Sequence, residues 1–434
     1  PLKQSAARLF LDVLLSGPDK PFFQNAFNEL RKLRKEINYN PPDIEKLSAF
    51  FVDNFSQNFQ DEFFYVLGEF YYDYGNFQKA NKYFEKVSEN SKDRAKALYL
   101  TGLIQVKLKL FKSAVESFQN AILSAEQTGA DQDVIDLSYL ALARIAYETL
   151  TEDLSNYDAA IFYYRKIPTN SYRLPSAIYE SAWTFFQKED YSRAIGAIHA
   201  LRSPYFLDYF YPELWILEAT MYLNLCRYEL ARHAIEMFDK EVAQYGEPLR
   251  KFMMNQKTPE DYYNSFVAAA NGDAAKGLTK KLALPVLSNV EFYNVYRTIR
   301  QIEKEEKELA ASVDKLGEFG TNILNKLQVL KKDKINEAGI KIQQILKTID
   351  TDLSEYAVKV TEIELDINTI EIEMKTIEMR KLAGEIEEAT LAPKAREGAV
   401  AIVGGDTVSW PFEGDYWKDE VRYYRSFLED ECSE

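Results

Sequence analysis

The apolar positions of residues 61–130 repeat at an interval of 34 residues. Small and aromatic side chains return in register at Gly68 and Gly102, Phe77 and Phe111, Ala80 and Ala114, and Phe84 and Phe118. A fixed period of this length is typical of proteins in which one pair of helices packs on the next. The pattern therefore predicts helix pairs. With some drift the frame continues to residue 241, which gives five repeats over residues 61–241.

The small residues of this frame have a packing role, because glycine or alanine lets the two helices of a pair approach closely while aromatic side chains fill the remaining space. One repeat departs from the spacing. Ala114 and Ala160 are 46 residues apart instead of 34, so we expect longer loops near residues 127–132 and 149–156.

The pattern resembles the tetratricopeptide repeat family, in which a large residue, Leu-Gly, an aromatic residue, an alanine and a second aromatic residue follow in order. The matching residues are Phe64, Leu67, Gly68, Tyr71, Ala80 and Phe84. The resemblance implies an α-solenoid in which the first helix of each pair lines a concave face.

The segments on either side of the repeats also predict helices. Residues 1–60 look like a degenerate helix pair followed by a helix that begins at Pro42, and we expect them to cap the solenoid. Residues 242–286 contain short helical stretches interrupted by glycine and proline, and we expect them to close it.

From Val295 the apolar residues follow alternating steps of four and three, the heptad pattern of a coiled coil. Two such seams lie on either side of residues 335–339. Folding the chain back there places Val295 opposite Ile377, so we predict an antiparallel hairpin over residues 287–392. The alternative is that both helices pair with another copy of the molecule, because either partner can bury the seam.

The C-terminal residues, 393–434, differ in composition from the helices before them. The aromatic side chains of Trp410, Phe412, Tyr416 and Trp417 are too much apolar surface to leave in water. We expect them to dock on the protein itself or on a partner. Residues 410–417, Trp-Pro-Phe-Glu-Gly-Asp-Tyr-Trp, resemble the tail of tetratricopeptide proteins of predatory and gliding bacteria, which implies a cell-envelope setting.

The composition agrees with these elements: 46% of the residues are hydrophobic, and the chain has only 17 glycines and 14 prolines. The sequence thus predicts an all-α fold, with a TPR-like α-solenoid followed by a long antiparallel coiled-coil hairpin and a short irregular C-terminal tail.

Charge and apolar runs limit the partners. A net charge of -15 repels phosphate backbones, so we expect no nucleic-acid partner. No run of apolar residues is long enough to span a membrane.

The two cysteines, Cys226 and Cys432, are too few for a disulfide framework and lie in unrelated contexts, so they leave the compartment open. The chain begins without methionine, so a signal segment could precede Pro1, and the tail resemblance favours the periplasm or envelope over the cytoplasm.

Catalytic chemistry has little support in the sequence. The only two histidines, His199 and His233, lack a set of cysteines or carboxylates at ligand spacing. The glycine-rich phosphate-binding and nucleophile motifs are missing as well. We therefore expect no enzymatic activity, no metal and no cofactor.

The family resemblance also implies a binding groove. Its groove-facing positions correspond here to Tyr65, Glu69, Tyr72, Tyr99, Leu103, Arg144, Tyr147, Tyr179, Trp183, Phe186 and Ile216. These residues would grip an extended or helical peptide, or else fill the inside of a tight superhelix or hold the protein's own tail. Tyr65 and Glu69 stand where chaperone-binding members have Lys and Asn, so an acidic chaperone tail is not an expected ligand.

These observations favour a non-catalytic scaffold for protein-protein interactions, with one partner in the groove and another on the coiled coil, in a bacterial envelope or motility assembly. Two alternatives stay open. One is a structural homo-oligomer joined through the coiled coil, and the other is a cell-wall glycan binder that uses the aromatic side chains.

Overall fold

The computed structural model describes residues 2–129, 132–149, 155–206, 209, 211–271, 278–311, 313–383, 412, 414–428 and 430–432. Within these residues the regular secondary structure is helical, and no strand is present. The predicted all-α class is therefore confirmed.

The α-helices in chain order are α1 Lys3–Leu15, α2 Phe23–Ile37, α3 Gln57–Asp73, α4 Phe77–Phe84, α5 Arg94–Lys107, α6 Phe111–Thr128, α7 Gln132–Glu148, α8 Ser155–Arg165, α9 Leu174–Gln187, α10 Tyr191–Leu201, α11 Leu214–Asn224, α12 Tyr228–Glu241, α13 Gly246–Met254, α14 Pro259–Ala270, α15 Lys280–Ser288, α16 Val290–Ala310 and α17 Val313–Leu382. Three 3₁₀ helices cover Pro42–Ala49, Pro204–Phe206 and Ala243–Tyr245. The helix expected to run on from Pro42 is thus a 3₁₀ helix that ends at Ala49, and α3 begins after an extended Phe50.

The chain forms two compact units. The first contains Pro1–Ser171, Gln256–Val267 and Val286–Gln343, and the second contains Tyr172–Asn255, Ala268–Pro285 and Gln344–Glu434. Helix α17 therefore contributes its N-terminal part to the first unit and its C-terminal part to the second.

In the first unit, α1–α2, α3–α4, α5–α6 and α7–α8 pack as sequential pairs, and α5 contacts both α3 and α7. Gly68 of α3 lies against the ring of Phe84, and Gly102 of α5 lies against the ring of Phe118. A Cβ added to Gly102 would be 2.6 Å from the nearest ring carbon. The small residues that carry the sequence repeat therefore allow the two helices of each pair to approach.

The turns of the α3–α4, α5–α6, α9–α10 and α11–α12 pairs share one backbone geometry. A residue with positive φ follows the first helix at Gly75 (73°), Lys109 (59°), Glu189 (60°) and Cys226 (55°). The next residue donates its N–H to a carbonyl five positions earlier, as Asn76 does to Tyr71 at 2.8 Å. This is a Schellman ending, which satisfies carbonyls that the helix leaves unpaired.

The extra residues of the long repeat mainly extend helices. Helix α6 has 18 residues, whereas α4 has 8, and it ends where Gly129 adopts a φ of 64°. The loop expected over 127–132 is therefore shorter than predicted, because residues 127–128 are still helical and α7 begins at Gln132. Most of the segment 149–156 lies outside the described residues.

The predicted reversal at 335–339 is wrong, because α17 continues through these residues as regular helix. Gly339 does not form a turn. Its missing Cβ leaves space for the backbone carbonyl of Pro259, which occupies that position. The backbone instead departs from helical geometry at Gly317, with a φ of 57° and a ψ of -140°.

An antiparallel helix pair is nevertheless present in the first unit, formed by α16 and the residues of α17 that follow Gly317. Ion pairs join Lys331 to Glu306 and Lys341 to Glu291, the second at 2.7 Å. Ile302 and Leu309 of α16 form a buried cluster with Leu327 of α17. The heptad pattern thus predicted the packing of long helices but not the position of the reversal.

The second unit contains the pairs α9–α10 and α11–α12 and the later part of α17. Three side-chain contacts fix that part of α17. Tyr356 donates its hydroxyl to Glu213 at 2.8 Å, Arg232 pairs with Glu371 at 2.9 Å, and Arg250 pairs with Asp350 at 2.8 Å.

Candidate interaction surfaces

The groove positions of the first unit differ widely in exposure. Tyr65 is only 4% exposed and donates its hydroxyl to Glu69 at 3.1 Å, and burial raises its pKa well above the ordinary value. Glu69 in turn pairs with Arg34 at 3.3 Å. Tyr65 and Glu69 therefore belong to an internal polar network.

The remaining groove positions of the first unit are more accessible. Tyr72 is half-buried, packs on Phe77 and carries the ammonium of Lys107 over its ring at 5.6 Å. The other positions are Tyr99 and Leu103, which are partly buried against a core cluster, Tyr147, which is half-buried beside Tyr157, and Arg144, which is exposed. Arg144 is therefore the most exposed of these positions.

In the second unit, α9 carries the groove aromatics. Tyr179 stacks on Tyr211 with ring centroids 4.3 Å apart, and Trp183 meets Phe186 edge to face at 6.1 Å. Trp183 and Phe186 are half-buried, whereas Ile216 is only 6% exposed. The accessible ring faces are thus those of the α9 side chains.

The described part of the C-terminal segment packs on α10, the second helix of the pair that begins with α9. Ser426 donates its N–H to the carbonyl of Ser192 at 3.0 Å, and Ser192 donates its hydroxyl back to the carbonyl of Ser426 at 2.5 Å. Gly196 lies directly beneath the carbonyl of Tyr424, where a Cβ would overlap it. The glycine on α10 therefore permits a close backbone approach.

Three aromatic rings of this segment surround His199. Phe412, Tyr416 and Tyr424 have centroids 4.5, 5.1 and 5.2 Å from the imidazole. Burial lowers the pKa of His199, and the nearby Arg202 lowers it further. Such an imidazole is uncharged at neutral pH and serves as a packing ring.

The four aromatic residues expected to dock have different positions. Phe412 and Tyr416 contact His199, and Tyr205 donates its hydroxyl to the carbonyl of Tyr416 at 2.8 Å. Trp417 is 61% exposed. Trp410 lies outside the described residues.

Cys226 and Cys432 form a disulfide, with Cα atoms 5.0 Å apart and a sequence separation of 206. The view that these cysteines lie in unrelated contexts is therefore wrong. Cys226 occupies the turn between α11 and α12, and Glu431 beside Cys432 donates its N–H to the carbonyl of Leu225 at 3.0 Å. The bond closes the C-terminal segment onto this turn.

The later part of α17 has two apolar rows. Residues of the predicted seam are buried at Leu346, Leu353, Val360, Ile363 and Ile367, whereas Met374 and Ile377 are 55% and 48% exposed. A second row, here called the outer row, consists of Val358, Leu365, Ile372 and Met379. These side chains are 59%, 64%, 65% and 64% exposed.

The outer row was not predicted from the sequence, although its signal is present there. Its members lie seven residues apart, but the more complete seam beside it accounts for the same helix. Beyond Glu371 exposure extends around the helix, because every residue from 372 to 380 is exposed.

The described residues contain no group of three or more histidine, cysteine, aspartate or glutamate side chains placed to hold a metal ion. His233 is exposed and has only the carboxylate of Glu236 nearby, at 3.8 Å. Within the same part of the chain, no helix is long and apolar enough to cross a bilayer.

No protein-family model matches the chain, and no curated protein matches it either.

Proposed function

We propose that this chain is a non-catalytic scaffold that binds other proteins, in an oxidising extracytoplasmic compartment of a bacterium. The observation that supports it most is the outer row of α17. Scattered exposed apolar residues are normal on a protein surface, but aligned ones mark interaction sites. Four large apolar side chains at heptad spacing, each more than half exposed, are a surface suited to another helix.

The half-buried aromatics of α9 support a second binding surface, within the second unit. Tyrosine and tryptophan are enriched where proteins bind peptides, because they bury a large area with few rotatable bonds. The family resemblance assigns these positions to a peptide groove. In this proposal the helical repeats bind one partner and α17 binds another.

The disulfide supports the compartment. Such bonds persist in secreted and periplasmic proteins and are rare in the reducing cytosol. Cys226 and Cys432 are the only cysteines of the chain, and they pair with each other. The resemblance of the tail to proteins of predatory and gliding bacteria leads to the same setting, an envelope or motility assembly.

Site-specific cross-linking in the native cell tests the scaffold function. A photoreactive residue is placed at Leu365 on α17, at Trp183 on α9, or at Met254, which is 83% exposed on α13 and serves as the control. We expect the first two positions to cross-link to different proteins and the control to cross-link to neither. Cross-links should be lost from Trp183 on Phe186→Ala substitution, because the two rings are in contact, or from Leu365 on Ile372→Asn substitution. A scaffold role is excluded if Leu365 and Trp183 give only the products seen at Met254.

The outer row also supports one competing function, a homo-oligomer in which α17 pairs with α17 of a second copy. Mass measurement in solution by light scattering separates the two. A monomer at micromolar concentration supports the scaffold, whereas a dimer that dissociates on Ile372→Asn substitution supports the structural oligomer.

A further inference from the structure

The outer row runs for three heptads along α17, from Val358 to Met379, which is about 32 Å at 1.5 Å per residue. A straight α-helix drifts by about 20° per heptad from such a row. A partner follows the row over this length only by winding around α17, as the helices of a coiled coil do. The spacing therefore indicates that the occupant is itself a helix.

The positions between the apolar members of the row hold threonines that expose little unsatisfied polar surface. Thr361, Thr369 and Thr376 donate their hydroxyls to carbonyls four residues earlier, at 2.9, 2.8 and 2.7 Å. Because these hydroxyls already donate hydrogen bonds within the helix, a partner that covers them leaves no buried donor unsatisfied. Their methyl groups extend the apolar strip.

The charged residues of α17 beside the middle of the row have one sign. Residues 360–374 contain five carboxylates and no lysine or arginine, the carboxylates being Glu362, Glu364, Asp366, Glu371 and Glu373. Of these, Glu371 is paired with Arg232. The nearest cationic residues of α17 are Lys359 and Lys375, on either side of the stretch. An incoming helix therefore meets carboxylates along the middle of the row.

Charge disfavours two possible occupants. In a second copy, α17 would place the same carboxylates against each other, and like charges across a coiled coil oppose pairing. An anionic lipid surface would be repelled by the same carboxylates and by the net charge of -15. A helix with lysine or arginine beside its apolar face is attracted by these carboxylates, whereas a second copy and an anionic lipid surface are repelled by them.

We propose that the outer row of α17 binds a basic amphipathic helix of another protein, in a heterotypic coiled coil. This inference rests on the scaffold function proposed above and names the chemistry of one partner. The apolar row supplies the binding area, and the carboxylates select the partner.

Synthetic peptides test this with the full-length, disulfide-bonded protein. One peptide of about four heptads has leucine and isoleucine at a and d and lysine or arginine at e and g. Its matched control has the same a and d residues with glutamate at e and g. Titration by fluorescence anisotropy should show saturable binding of the basic peptide, at least roughly tenfold tighter than the acidic one. Roughly equal binding of both peptides, or of neither, overturns the proposal.

Substitutions then locate the binding surface. Leu365→Asn with Ile372→Asn should weaken the basic peptide at least roughly 100-fold, whereas Met254→Asn, another exposed apolar position, should leave it unchanged. Replacing Glu362, Glu364 and Asp366 with lysine should reverse the preference in favour of the acidic peptide. Binding that survives Leu365→Asn with Ile372→Asn, or a preference that does not reverse, places the peptide elsewhere and refutes the proposal.

Two further outcomes separate this inference from the scaffold function. If native cross-links form at Leu365 but the basic peptide does not bind, the scaffold function stands and the basic partner is wrong. If the peptide binds as described but Leu365 and Trp183 form no specific cross-links in cells, the surface chemistry is right and the scaffold function is wrong. A dimer that dissociates on Ile372→Asn substitution assigns the row to a second copy and overturns the heterotypic pairing.

Discussion

The carboxylate of Glu305 accepts a hydrogen bond from the backbone N–H of Gln4 at 2.6 Å, although 301 positions separate them in sequence. Its other oxygen accepts the N–H of Ser5 at 3.3 Å. Helix α1 has no capping side chain of its own. The fully buried Glu305 therefore satisfies donors of the first turn of α1 and places a negative charge at the positive end of that helix.

We expect Glu305→Ala to lower the free energy of unfolding by about 1–3 kcal/mol, because buried N–H donors lose a charged acceptor. Chemical denaturation followed by circular dichroism measures the change. Glu303→Gln is the control, since this carboxylate lies on the same helix but is paired with Arg300 at the surface. Equal effects of the two substitutions would show that the cap contributes nothing specific.

Gly68→Ala tests the packing that underlies the sequence repeat. The new Cβ would overlap the ring of Phe84, and overpacking of this kind costs about 1–3 kcal/mol. A gain of up to about 1 kcal/mol from helix propensity offsets part of it. Thermal unfolding should show a lower Tm for Gly68→Ala. Adding Phe84→Leu should cost less in this background than in the native one, and strict additivity would argue against the contact.

The helix pairs could be predicted from the sequence because their packing is local. Gly68 meets Phe84 only 16 positions away, so the contact leaves a pattern that repeats with the helices. Buried seams of long helices are equally visible, since apolar side chains must recur every three or four residues to stay on one face.

The reversal of the helical hairpin could not be predicted from periodicity, because an apolar pattern does not show which glycine of a long helix ends it. Gly317 adopts a left-handed conformation, whereas Gly339 stays helical and makes room for Pro259. Only the packed structure distinguishes a glycine needed for its φ from one needed for its missing Cβ.

The cysteine pair and the tail site depend on contacts between distant parts of the chain. Cys226 and Cys432 are 206 residues apart, and no local pattern marks either as half of a bond. The exposure of the groove positions could not be predicted from the sequence for a related reason. The family pattern assigns Tyr65 to the groove, but its burial and its bond to Glu69 follow from tertiary neighbours.

The bond from Tyr356 to Glu213 should make stability depend on pH. Burial raises the pKa of Glu213, and the hydroxyl of Tyr356 partly opposes the shift. An acid whose pKa is raised in the folded state binds protons more tightly there, so its ionisation destabilises the fold as pH rises through that pKa. Tyr356→Phe removes the opposing effect and raises the folded-state pKa further.

We therefore expect Tyr356→Phe to cost about 1–2 kcal/mol at pH 7, where Glu213 is ionised, and much less at pH 4, where it is protonated. Urea denaturation at the two pH values measures the difference. Tyr293→Phe is the control, since Tyr293 is 46% exposed and the substitution should have little effect at either pH. A cost for Tyr356→Phe that is the same at pH 4 and pH 7 would remove Glu213 from the explanation.

Gly196→Ala should release the C-terminal segment from α10, because its Cβ would overlap the carbonyl of Tyr424. The disulfide would still tether the released segment, so its release appears as local opening and not as loss of the chain end. Trypsin should then cut after Arg422 and Arg425 at least roughly tenfold faster, since cleavage follows the population of the open form.

Gly246→Ala is the matched control, because its Cβ would meet only the flexible guanidinium of Arg250 at 3.1 Å. Reduction of Cys226 and Cys432 should raise cleavage in the native protein and raise it further in Gly196→Ala, since bond and packing hold the segment by separate means. Unchanged cleavage in Gly196→Ala under both conditions would mean that the segment does not rest on α10 in solution.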